Sequence, residues 1–77
     1  MAVADKIKAL MSIRGKKNID LAKYLGMSPQ ALQNKLFRGS FSAEDLIKIG
    51  NFLDCTLNFQ VDDKQKIIFD MSDLRSH

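Results

Sequence analysis

The stretch Asn18-Ile-Asp-Leu-Ala-Lys-Tyr-Leu-Gly-Met-Ser-Pro-Gln-Ala-Leu-Gln-Asn-Lys-Leu36 holds two helix starts around one helix stop, and it predicts two short helices joined by a tight corner. The first helix, 18–25, is expected to begin with Asn18 as its cap, an amide oxygen being able to accept from a free backbone N–H there. Leu21, Ala22 and Leu25 then share one face. Gly26 follows the last apolar position, where a residue without Cβ ends a helix in the left-handed conformation at little cost. Ser28 is the next cap, Pro29 sits at the first helical position where its missing N–H is not needed, and Met27 can pack on Leu32 across the turn. The second helix is predicted over 29–36.

Steps of about 100° per residue put Leu32 and Leu36 on the inner side of that second helix and Gln30, Gln33 and Asn34 on its outer side. Each amide offers a donor and an acceptor together, the pattern that matches the N7 and N6 edge of adenine in the major groove of duplex DNA. Gln30, Gln33 and Asn34 are therefore expected at base edges, with Lys35 able to reach either a guanine or a phosphate. Lys16, Lys17, Asn18, Ser28, Arg38 and Ser40 are expected at phosphates. No carboxylate interrupts residues 21–43.

The spacing of Ala22 and Gly26, with apolar Leu21, Leu25, Met27 and Leu32 around them, resembles the helix-turn-helix of the phage-repressor-like family (Cro and cI type, also called XRE type) over about residues 3–54. The resemblance implies a mainly α domain of about four helices, a small cytoplasmic transcription regulator, and in some members a homodimer joined by C-terminal strands. Two features depart from the family pattern: the exit from Leu32 to Gly39 is one residue longer, and Lys35 stands at a usually apolar position.

Charge is distributed in the same sense. Residues 1–38 carry eight Lys and Arg against two Asp, a net +6, whereas residues 39–77 carry four against seven acids, a net −3. The basic half is the half with the motif, as phosphate binding requires, although a lysine run is often only a solvated face.

Outward from the motif, Val3, Ile7, Leu10 and Met11 predict a packing helix over 3–13, closed by Gly15. Phe37 would lie on the outer polar face if the second motif helix continued, so that helix is expected to end before it and turn the ring inward. Ser42, Glu44 and Asp45 predict a helix start, and Leu46, Ile49, Gly50 and Leu53 the inner stripe of a helix over 43–53, Gly50 permitting close helix contact. Val3, Ile7, Leu10, Leu21, Ala22, Leu25, Leu32, Leu36, Leu46, Ile49 and Leu53 are expected in one core. The period then changes. Thr56 to Val61 alternates apolar and polar, Asp62-Asp63-Lys64 supplies turn chemistry, and Lys66 to Phe69 returns, which predicts a β-hairpin over 56–69. Residues 71–77 are expected to fray.

A 77-residue chain with 45% apolar residues is one small domain whose core gives modest stability, so a partner subunit would help. Leu57, Phe59 and Val61 on one strand and Ile67 and Phe69 on the other offer more apolar surface than a ribbon can hide alone. They are expected to join two chains in a two-fold homodimer, the alternative being that they cap the helices of one chain. Lys6 and Lys8 interrupt any apolar signal core, which favours a cytoplasmic chain, and no stretch is long enough to span a bilayer. A lone Cys55 and a terminal His77 provide no disulfide, metal set or catalytic base. No nucleophile and base, phosphate loop or dinucleotide fingerprint is present, so neither an enzyme, a cofactor nor a small-molecule ligand is expected. Double-stranded DNA is the expected partner. RNA would call for a platform of closely spaced rings, which is lacking. The competing class is a protein-binding module such as an antitoxin or anti-repressor, with the hairpin edges adding to a partner sheet.

Overall fold

The computed structural model describes residues 2–75, with four α-helices, a two-stranded antiparallel hairpin and a short 3-10 helix. The helices are α1 (Val3–Arg14), α2 (Asn18–Leu25), α3 (Pro29–Arg38) and α4 (Ala43–Phe52). Strands β1 (Leu57–Gln60) and β2 (Lys66–Phe69) follow, then the 3-10 turn Met71–Arg75. The expected mainly α class with a C-terminal hairpin is what is found. The chain falls into two compact units that divide between Phe41 and Ser42.

In the first unit α2 and α3 pack against one another, and Leu21, Ala22, Leu32 and Leu36 are buried. On α1 the buried stripe is Ala4, Ile7 and Met11. Val3 (48% exposed) and Leu10 (38%) were expected inside and lie outside. Positions 4, 7 and 11 form a regular i, i+3, i+7 face, and the small Ala4 takes the place that bulk alone would have assigned to Val3. Leu25 is half-buried. Each of the three helices ends on a left-handed glycine, and at Gly26 (φ 73°) the adjoining Met27 N–H returns to the Ala22 carbonyl at 3.0 Å.

In the second unit Ser42 and Asp45 form a reciprocal capping box: the Asp45 N–H donates to Ser42 Oγ at 3.1 Å and the Ser42 N–H to Asp45 Oδ2 at 3.0 Å. The buried residues of this unit are Ile47, Ile49 and Leu53, with Leu46 half-buried rather than central. Gly50 serves the turn rather than a helix contact. A Cβ there would meet the Cys55 carbonyl oxygen at 3.2 Å, where the chain folds back and the Cys55 N–H donates to the Gly50 carbonyl at 2.9 Å. Asp54 makes the reversal with a φ of 56°, a conformation that Asp tolerates better than most residues.

The hairpin pairs Leu57 with Phe69, Asn58 with Ile68, Phe59 with Ile67 and Gln60 with Lys66. Asp62 shapes its loop, its Oδ1 accepting from the Lys64 and Gln65 N–H groups at 2.8 and 2.9 Å. Both β1 and the 3-10 turn pack on α4. That turn corrects the expectation of a frayed tail from residue 71. Asp70 and Asp73 cap it, the Asp70 N–H donating to Asp73 Oδ2 at 2.8 Å and the Ser72 N–H to Asp70 Oδ1 at 3.0 Å, while Met71 and Leu74 are half-buried. His77 lies outside the described residues.

Candidate nucleic-acid interface

All the side chains expected to touch DNA belong to the first unit, and α3 is the element on which they converge. Its start is as expected: Ser28 Oγ accepts from the Ala31 N–H at 3.1 Å with Pro29 following. That bond uses an acceptor lone pair, so the hydroxyl proton is still available for a phosphate oxygen. Gln30, Gln33 and Asn34 are all exposed. Gln30 Nε2 donates to Asn34 Oδ1 at 3.4 Å, one turn along the helix. The contact leaves Gln30 its carbonyl and one N–H, enough for a bidentate adenine contact, with Asn34 bracing the amide.

Lys35 does not share this face. About 140° around the helix from Gln30, it is half-buried, its ammonium donates to the Ser40 carbonyl at 3.4 Å, and it lies 5.9 Å from the centroid of the Phe41 ring. The residue that departs from the family pattern thus ties the helix to its exit loop, which the sequence spacing could not reveal. Ser40 offers its carbonyl to that tie and its exposed side chain to solvent.

The expectation that α3 would stop before Phe37 is overturned. The helix runs on to Arg38 and ends where Gly39 (φ 66°) sends its N–H to the Lys35 carbonyl at 2.8 Å. Phe37 is accordingly turned outward and is 91% exposed. The stop signal was legible: glycine, not the next apolar side chain, decides where the helix ends.

At the start of α2 the cap is Lys17 rather than Asn18, which becomes the first helical residue, with no side-chain cap bond. The Asn18 amide is therefore not spent on the cap. Lys16, Lys17 and Asn18 are exposed around this helix end, and Arg38 is exposed at the far end of α3. Cations flank both ends of the helix pair, and backbone N–H groups at a helix start favour an anion.

The family model of the bacteriophage CI repressor helix-turn-helix domain matches residues 5–61. The chain belongs to this family. Comparison with curated proteins and with solved structures gives no match. A bacteriophage CI repressor domain is a DNA-binding helix-turn-helix, and the matched span takes in α2, the Gly26 turn, α3, α4 and β1. Among the described residues no helix is long and apolar enough to cross a membrane, and no group of His, Cys, Asp and Glu could hold a metal ion.

Proposed function

We propose that this chain is a sequence-specific double-stranded DNA binder, a small cytoplasmic transcriptional repressor that reads base edges with α3 and acts as a homodimer. The observation that carries this reading is the common exposure of Gln30, Gln33 and Asn34 on one face of a helix capped at Ser28, within the net +6 half of the chain. Gln30 and Gln33 contact bases, Asn34 contacts a base or braces Gln30, and Lys16, Lys17, Asn18, Ser28, Arg38 and Ser40 hold phosphates. Lys35, engaged with the exit loop, keeps that loop in place and contributes charge.

The homodimer is supported by the hairpin. Register places Leu57, Phe59, Ile67 and Phe69 on one face, where Phe59 is 70% and Ile67 57% exposed, with Val61 (64%) just beyond. The Phe59 and Phe69 rings meet edge to face at 5.7 Å beside an apolar groove of about 230 Å3 lined by Ala43, Leu46 and Leu57 as well. Two such faces bury each other, and the paired domains read half-sites about 34–36 Å apart.

Selection of bound sites from a random DNA pool, followed by titration of the preferred site and of random DNA, tests the proposal. Gln33→Ala should cost about 1–3 kcal/mol at the preferred site and little elsewhere. Lys17→Ala should weaken all sequences alike and flatten the salt slope by about one unit. An unchanged preference in Gln33→Ala would refute base reading. A chain that shifts no DNA at low salt would favour the protein-binding alternative on the same scaffold.

A further inference from the structure

Among the described residues Phe37 has the highest fractional exposure of the large hydrophobic side chains, at 91%, and it stands on the helix that carries the amides. Scattered apolar residues on a surface are ordinary. Phe37 differs in its angular position. With Gln30 at the origin, helical steps put Gln33 about 60° to one side, Asn34 about 40° to the other and Phe37 between them, about 20° from Gln30. The ring therefore occupies the middle of the amide face, one turn beyond Gln33.

Resting on the reading of α3 as the DNA-facing helix, we propose that Phe37 is a specificity-determining residue that packs against the 5-methyl group of a thymine in the major groove. Among the base edges displayed there, thymine alone carries a methyl group, and a phenyl ring can recognise nothing else on them without leaving a polar atom unpaired. The rise of about 1.5 Å per residue sets Phe37 about 10.5 Å along the helix from Gln30, which corresponds to about three base-pair steps of 3.4 Å. The preferred site thus contains a thymine about three steps from the base pair read by Gln30. The amides supply hydrogen-bonded discrimination, and the ring discriminates by burial alone.

The test uses the full chain and its selected site, with each thymine replaced in turn by deoxyuridine, which pairs identically but lacks the methyl. Removing one methyl-sized group from a buried contact corresponds to about fourfold in affinity. One thymine, about three steps from the pair at which Gln30→Ala relaxes selection, should show that loss, and Phe37→Ala should bind the thymine and deoxyuridine sites equally. The side chain is solvent-exposed, so Phe37→Ala should keep the parent's circular dichroism. Phe37→Leu should retain part of the thymine preference. A thymine to deoxyuridine ratio that persists in Phe37→Ala, or that is one at every position of the parent, overturns the proposal. So does a Phe37→Ala variant that weakens all sequences alike or changes only the sedimentation of the free chain. Failure of the underlying reading is separable: it shows as loss of the Gln33→Ala effect or of DNA binding altogether, in which case both fall.

Discussion

The α2–α3 pair and the hairpin treat apolar side chains in opposite ways. On the helix pair Leu21 and Leu32 are fully buried and the amides and cations face outward, with Ile19 and Tyr24 of α2 and Phe37 of α3 as the large apolar side chains exposed beside them. On the hairpin Phe59, Val61, Ile67 and Ile68 are all exposed. A polar, positively charged surface binds a polyanion with an affinity that falls steeply with salt, whereas an apolar one associates by burial, which salt does not screen. The two surfaces of one small chain are thus suited to two different partners.

The largest effect should come from Leu32→Ala, because the side chain is fully buried and belongs to the same helix as the reading face. A loss of about 2–5 kcal/mol is expected, followed by thermal or urea unfolding. For a domain of this size that is a large share of the total stability. The outward Gln33→Ala on the next residue should leave the melting temperature unchanged. Equal destabilisation by the two would erase the distinction between inner and outer faces.

Next in size is the hairpin. Phe59→Ser should weaken self-association by about a hundredfold, at about 1.5 kcal/mol for each of the two side chains, one on each protomer, kept from burial. Sedimentation across a concentration series measures it. A single half-site should still be bound with the parent's affinity, while the gain from an inverted repeat disappears. A parent chain that stays monomeric at high micromolar concentration would assign those side chains to some other partner.

The same contrast explains what was legible in the sequence. Capped and glycine-terminated helices are specified by local chemistry, so Ser28, Pro29 and Gly26, and Ser42 with the acids Glu44 and Asp45 behind it, located α3 and α4 from residues alone. Strand alternation located the hairpin equally well. What escaped was decided by competition between signals. At Phe37 the gain from burying a ring competes with the stop signal of the glycine two residues on, and the helix follows the glycine. At Lys35 the partners are a backbone carbonyl and a ring reached only once the exit loop has folded. The Asp70-Met-Ser-Asp73 cap was in plain view, but a turn of five residues has no hydrophobic period to announce it.

A smaller effect tests the corner between the two motif helices. Ser28→Ala removes the acceptor for the Ala31 N–H and should cost about 1 kcal/mol of stability. It should also lower affinity for every sequence if the hydroxyl donates to a phosphate. Ser28→Asn can keep a cap bond but not the hydroxyl geometry, so stability recovered without affinity would separate the two roles.

The smallest effect is confined to the C-terminal 3-10 turn. Hydrogen bonds from the Ser72 hydroxyl and then from the Ser72 N–H hold the Asp70 carboxyl below its ordinary value of 3.8, outweighing a small opposing effect of desolvation. Because the folded value lies below the unfolded one, the carboxylate's contribution is fully present above pH 3.8 and is lost as pH falls through the depressed folded value. The turn should therefore persist through the neutral range and loosen as pH falls below 3.8. Amide chemical shifts of Ser72 and Asp73 followed on acidification should give a midpoint below 3.8, and Ser72→Ala, which removes the largest cause, should raise it. A midpoint at or above 3.8 in the parent would mean that Asp70 does not cap the turn in solution, and residues 71–75 would then fray as the sequence alone leads one to expect.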